Sequence, residues 1–159
     1  MGMLNLPESY HIDGYQKDKI LSMIMIHDLG ETLTGDIPKP QKIGHPEYDS
    51  SEDQVMRAFL LKGTYPGMTN LKQYYSLWDE WHQQETFNSR VAKDLDCLQA
   101  MYQFCVYYTD YPDNFPDEKI ISWLGEYRDL RTEIGISLYE RIIKSNPRFQ
   151  KIFDKYSNI

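Results

Sequence analysis

The chain has 159 residues, 41% hydrophobic and 26% charged, a size that suits one compact domain and needs no disulfide or structural metal to fold. A net charge of -7 and a pI near 5.0 leave no basic surface for a phosphate backbone, so polymeric nucleic acid is not an expected partner. The apolar runs are too short to span a bilayer, so no membrane partner is expected. In chain order, residues 1–15 read as a loop with Pro7 and Gly14. From Lys17 to Leu33 the pattern is helical and apolar nearly all round, through Ile20, Leu21, Met23, Ile24, Met25 and Ile26, which predicts a buried central helix. Residues 34–46 read as a loop rich in Gly and Pro, and 47–62 as a helix ended by Gly63. After a turn at Tyr65-Pro66-Gly67, Asn70 caps a helix over 71–84 that carries Trp78 and Trp81. A long helix follows from Phe87 to Tyr108, with Val91, Leu95, Leu98, Tyr102 and Cys105 on one face. Segments 117–130, 132–145 and 147–156 complete an all-α, single-domain reading with essentially no strand.

Cys97 and Cys105 are the only cysteines, eight residues apart on the long predicted helix. That spacing exceeds about 10 Å along a helix, too far for a disulfide. They read as two buried thiols in a reducing cytoplasm. Met1-Gly2-Met3-Leu4 lacks the basic and apolar pattern of a signal peptide, which agrees with a cytoplasmic location.

The informative stretch runs from His27 through Asp28, Glu31, Thr34, Gly35 and Asp36 to Pro38. A His-Asp pair directly follows an apolar run, and burying such a pair is costly unless something pairs it. A divalent cation does so, and imidazole with carboxylate suits Zn, Mn, Fe or Co. Glu31 lies four residues after His27, on the same helical face, so a ligand and an acid–base group can address one site. Gly35 permits a sharp turn that brings Asp36 back toward it. The plainer alternative makes His27 and Asp28 a salt-bridged helix end and Glu31 a solvated residue. On the long helix, Asp96 sits one residue off the Leu95 face, at the core boundary, while Asp94 points further round and reads as solvated.

His27-Asp28-x-x-Glu31 followed by Thr34-Gly35-Asp36-Ile37-Pro38 resembles the core motif of the HD-domain phosphohydrolases. Leu77-Trp78-Asp79-Glu80, Glu85-Thr86 and Val91 to Asp96 resemble the 5'-deoxynucleotidase-like branch of that family, and the likeness covers about residues 17–108. The resemblance implies an all-α helical bundle, one HD domain over 1–159, and a metal-dependent phosphoric monoester hydrolase. Its implied substrate is a small phosphorylated metabolite, a (deoxy)nucleoside 5'-monophosphate in particular. The implied cofactor is one divalent metal ion, Mn, Co, Fe, Zn or Mg, held by His27, Asp28 and Asp96. Glu31 and Asp36 match the catalytic acids, and Asp36 and Lys93 the groups that meet sugar and phosphate.

One family feature has no match. The family carries another metal-binding His on an earlier helix, whereas only 26 residues precede His27 and His11 stands in a predicted loop. The expectation is an N-terminally shortened form, or a site completed by water or by a neighbouring copy in a homodimer. His45 and His82 read as surface or satisfied histidines. Two other readings stay open: a non-catalytic HD-like binding or oligomerisation module with an incomplete metal site, and a phosphodiester or guanosine polyphosphate hydrolase.

Overall fold

The computed structural model describes residues 16–37, 41, 44–62, 71–116, 118–121 and 129–156. The predicted N-terminal loop with His11, the turn at Tyr65-Pro66-Gly67 and the Asn70 cap lie outside them. Among the described residues every regular element is helical, as expected. None of their helices is long and apolar enough to cross a membrane. The chain divides into two compact units, one Gly14–Ser89 and the other containing Arg90–Ile159.

In the first unit, α1 (Lys17–Ile26) is followed by a 3-10 turn at His27–Leu29 and a short α2 (Glu31–Thr34). α3 (Pro46–Arg57) runs on into a π-helical turn at Ala58–Lys62, and α4 (Leu71–Gln83) closes the unit. Pro46 stands at the first turn of α3, where its missing N–H costs nothing. Met56, Leu60 and Trp78 form a buried cluster, with Ile26, Leu29 and Tyr75 packed against it. α1 packs on α4, and Lys19 on α1 pairs with Glu80 on α4 at 2.7 Å.

Two expectations are corrected here. The helix predicted over 17–33 is not continuous. The Nδ1–H of His27 donates to the Ile24 carbonyl at 2.6 Å, the oxygen to which the Asp28 N–H would go in a continued α-helix. Competition for that carbonyl accompanies the tightening into a 3-10 turn. Nor is α1 buried all round: Ile20 and Met23 are enclosed, but Met25 is 83% exposed. An unbroken apolar run covers more of a helix than its single packed face can use.

α5 (Phe87–Asp110) begins in the first unit and carries on into the second, where α6 (Glu133–Lys144) and α7 (Pro147–Tyr156) follow. Leu98, Met101, Phe104, Tyr108, Ile143 and Phe149 belong to one buried cluster. Val91, Leu95, Leu98 and Cys105 are buried as the periodicity predicts, but Tyr102 is exposed and Met101 and Phe104 take the inner face. Tyr102 stays in line with Leu95 and Leu98 on a 3.6-residue helix, so it is the packed face that turns, toward Met101, Phe104 and Tyr108 in the second half of α5. Neither cysteine is in a disulfide; Cys105 is buried and Cys97 half-buried.

Candidate metal centre

The His-Asp pair occupies the 3-10 turn that follows α1. The Ile24 carbonyl can only accept, so the His27 nitrogen bonded to it, Nδ1, must carry the hydrogen. Nε2 then faces Asp28 Oδ1 at 2.8 Å. Both ring nitrogens therefore meet oxygens. A doubly protonated ring satisfies that arrangement, and so does a cation on Nε2. The imidazole is held at 4.5 Å, centroid to centroid, over the buried Trp81 ring of α4. The ring is mostly enclosed while the Asp28 carboxylate is 64% exposed, so the pair has a fixed inner member and a reachable outer one.

Glu31 opens α2 and is half-buried. Between His27 and Glu31 the chain passes from a three-residue turn to α-helix, so the simple four-residue register assumed from sequence does not apply unchanged. Gly30, between them, packs directly under Glu52 of α3. Gly35 ends α2 at φ +85°, a conformation that needs glycine, as the sequence predicts. Asp36 beyond it is exposed and makes no hydrogen bond or ion pair among the described residues.

Lys93 and Asp96 lie in the second unit, three residues apart on α5, with Nζ 3.1 Å from Oδ2. Both are part-exposed, which places Asp96 at the core boundary as expected. Asp94 is the clear correction. It is 2% exposed rather than solvated. It accepts the backbone N–H groups of Arg131 at 3.0 Å and Thr132 at 2.9 Å, and the Thr132 hydroxyl at 2.6 Å.

His27, Asp28, Glu31 and Asp36 thus belong to the first unit, and Lys93 and Asp96 to the second. Among the described residues no three His, Cys, Asp or Glu side chains are grouped so as to hold a metal ion. In kind, the imidazole and carboxylate of His27 and Asp28 fit a divalent ion. His45 is exposed and bonds Glu47 at 2.8 Å, and His82 caps the Trp78 carbonyl at 3.0 Å, so both are the satisfied surface histidines expected.

Two motif residues have scaffold roles. The Thr86 hydroxyl donates to Glu80 at 2.6 Å and accepts the Ser89 N–H at 3.1 Å, which caps the start of α5. With the Lys19–Glu80 ion pair, these bonds join α1, α4 and the start of α5 behind His27. Sequence reasoning missed Trp81 as the shelf under His27, and Glu52. The signal for Glu52 was its place four residues before buried Met56, on a stripe that should be apolar.

Comparison with known proteins places this geometry in a family. A family model described as HD domain matches residues 1–134. The chain is 32% identical over 107 residues to the 5'-deoxynucleotidase HDDC2 of Dictyostelium discoideum, covering 65% of this chain and 54% of that protein. It is 30% identical over 92 residues to the Xenopus laevis 5'-deoxynucleotidase HDDC2, covering 57% and 44%. With the Homo sapiens protein of that name it shares 26% over 95 residues, covering 60% and 45%. The chain thus spans about half the length of the curated relatives it matches. No solved structure matches it. The His-Asp turn and the family match over most of the sequence lead to one conclusion: this chain belongs to the HD-domain family.

Proposed function

We propose that the protein is a metal-dependent phosphohydrolase that removes phosphate from a deoxynucleoside 5'-monophosphate. The observation that carries this reading is the His27–Asp28 pair, in which a backbone carbonyl fixes Nδ1 and turns Nε2 toward the Asp28 carboxylate. The 5'-deoxynucleotidase relatives support the choice of substrate. In the proposal His27, Asp28 and Asp96 hold one divalent ion, Mn, Co, Fe, Zn or Mg, with water or a neighbouring copy completing the set. When bound, such an ion polarises a phosphoryl oxygen and makes a water easier to deprotonate.

Glu31 takes the proton of the attacking water as its oxygen bonds to phosphorus. It returns that proton to the 5'-oxygen as the phosphorus–oxygen ester bond breaks, giving nucleoside and phosphate. Asp36, exposed beyond the Gly35 turn, meets the sugar, and Lys93 meets the phosphate. The acidic chain as a whole is no obstacle, because a single phosphate needs only local positive charge.

Glu31→Gln tests the reading. It removes proton transfer while keeping shape, so phosphate release from deoxynucleoside monophosphates with added Mn should fall about 10²–10⁴-fold with Mn uptake retained. Equal rates in the parent and in Glu31→Gln would remove the hydrolase reading and leave a helical binding module.

A further inference from the structure

Glu52 is an acid on a buried stripe. It is 8% exposed and stands four residues before Met56, which is enclosed against Leu60 and Trp78. A carboxylate in such a place is normally met by a cation or by hydrogen-bond donors. Among the described residues Glu52 has neither. Its oxygens are not among the sealed, unpartnered polar atoms, which are Trp78 Nε1 and Tyr108 Oη. The small surface that Glu52 keeps therefore includes its carboxylate. The stem is fixed and the charged tip is reachable.

The place of that tip gives it meaning. A Cβ on Gly30 would lie 2.6 Å from Glu52 Cγ and 3.2 Å from Oε1, so the Glu52 side chain lies directly over Gly30. Residues three apart in a 3-10 turn eclipse one another. Gly30 immediately follows the His27–Leu29 turn and so continues the face that His27 occupies. A buried-stem carboxylate with no partner among the described residues thus lies over Gly30, two residues beyond Asp28 and three beyond His27. It is not grouped with His27 and Asp28 as a direct ligand.

We propose that Glu52 is a further acid of this site, an outer-sphere acceptor for the hydration shell of the divalent cation. The proposal rests on the metal-site reading above. It supplies what Glu52 lacks: donors and positive charge from outside the chain. It also accounts for the glycine at position 30. The backbone there is ordinary helix at φ −61° and ψ −38°, so the local demand on position 30 is room for Glu52.

Calorimetric titration of Mn²⁺ into the metal-stripped full chain tests it, with thermal melts of each metal-free variant. Glu52→Gln should weaken Mn²⁺ binding about 10–100-fold, the usual effect of losing an outer-shell partner, without lowering the metal-free melting temperature. Gly30→Ala should weaken binding in the same direction, because it displaces Glu52 without changing charge or straining the backbone. Should Glu52→Gln fail to fold, Gly30→Ala carries the test alone. Asp28→Ala separates the outcomes. If Asp28→Ala abolishes binding while Glu52→Gln stays within about twofold of the parent, the Glu52 proposal falls and the metal site stands. A loss of melting temperature with unchanged affinity makes Glu52 a structural acid and also overturns the proposal. A parent chain that takes up no Mn²⁺ overturns both readings.

Discussion

At the Cys105 thiol, burial in the second unit's core opposes ionisation and pushes its pKa from 9.0 to about 12. Above about pH 9 the unfolded thiol therefore loses a proton that the folded one keeps. The folded state then binds more protons, so its stability falls as pH rises. One such group gives a slope of up to about 1.4 kcal/mol per pH unit. Cys105→Ala should lower stability overall but flatten that slope between about pH 9 and 11, read from urea unfolding at several pH values. An identical slope in parent and variant would show that the thiol ionises equally in both states. His27 and Asp28 are the residues that sequence exposed best, because a polar pair after an apolar run is conspicuous in one dimension. Asp94 was invisible in that sense: its acceptor role depends on backbone N–H groups 37 residues away.

Those donors make Asp94 the junction of two helices. Thr132 is the N-cap of α6, its hydroxyl accepting the Gly135 N–H at 3.0 Å while donating to Asp94. One carboxylate on α5 thus gathers the backbone entering α6 and the cap that starts it. Gly135 completes the fit, since a Cβ there would collide with the Asp94 carboxylate. Asp94→Ala would strand three donors, two of them backbone, and should cost about 3–5 kcal/mol in urea unfolding. Because Asp94 and Thr132 share a hydrogen bond, their alanine double-mutant cycle should show about 1–3 kcal/mol of coupling. Additive losses would mean that the two act independently. Helix existence was legible from apolar periodicity for α1, α3, α4 and α5. Where α1 stops was not, because a side-chain bond from His27 to Ile24 decides it rather than a proline or glycine.

For the whole molecule, family membership was legible because it rests on a short run of consecutive motif residues. The division into two units was not, since one helix, α5, passes from the first unit into the second with no break in its pattern. The metal proposal makes Asp28 and Asp96 ligands of one cation, so neither acid suffices by itself. Mn²⁺ at about 100 times its dissociation constant should then stabilise the parent by about 2.7 kcal/mol. Asp28→Ala and Asp96→Ala should each abolish that gain, and the double variant should behave as either single one does. Thermal melts with and without Mn²⁺ read the effect directly. If Asp96→Ala keeps the full Mn²⁺ response while Asp28→Ala loses it, Asp96 is no ligand, and its 3.1 Å pairing with Lys93 is its role.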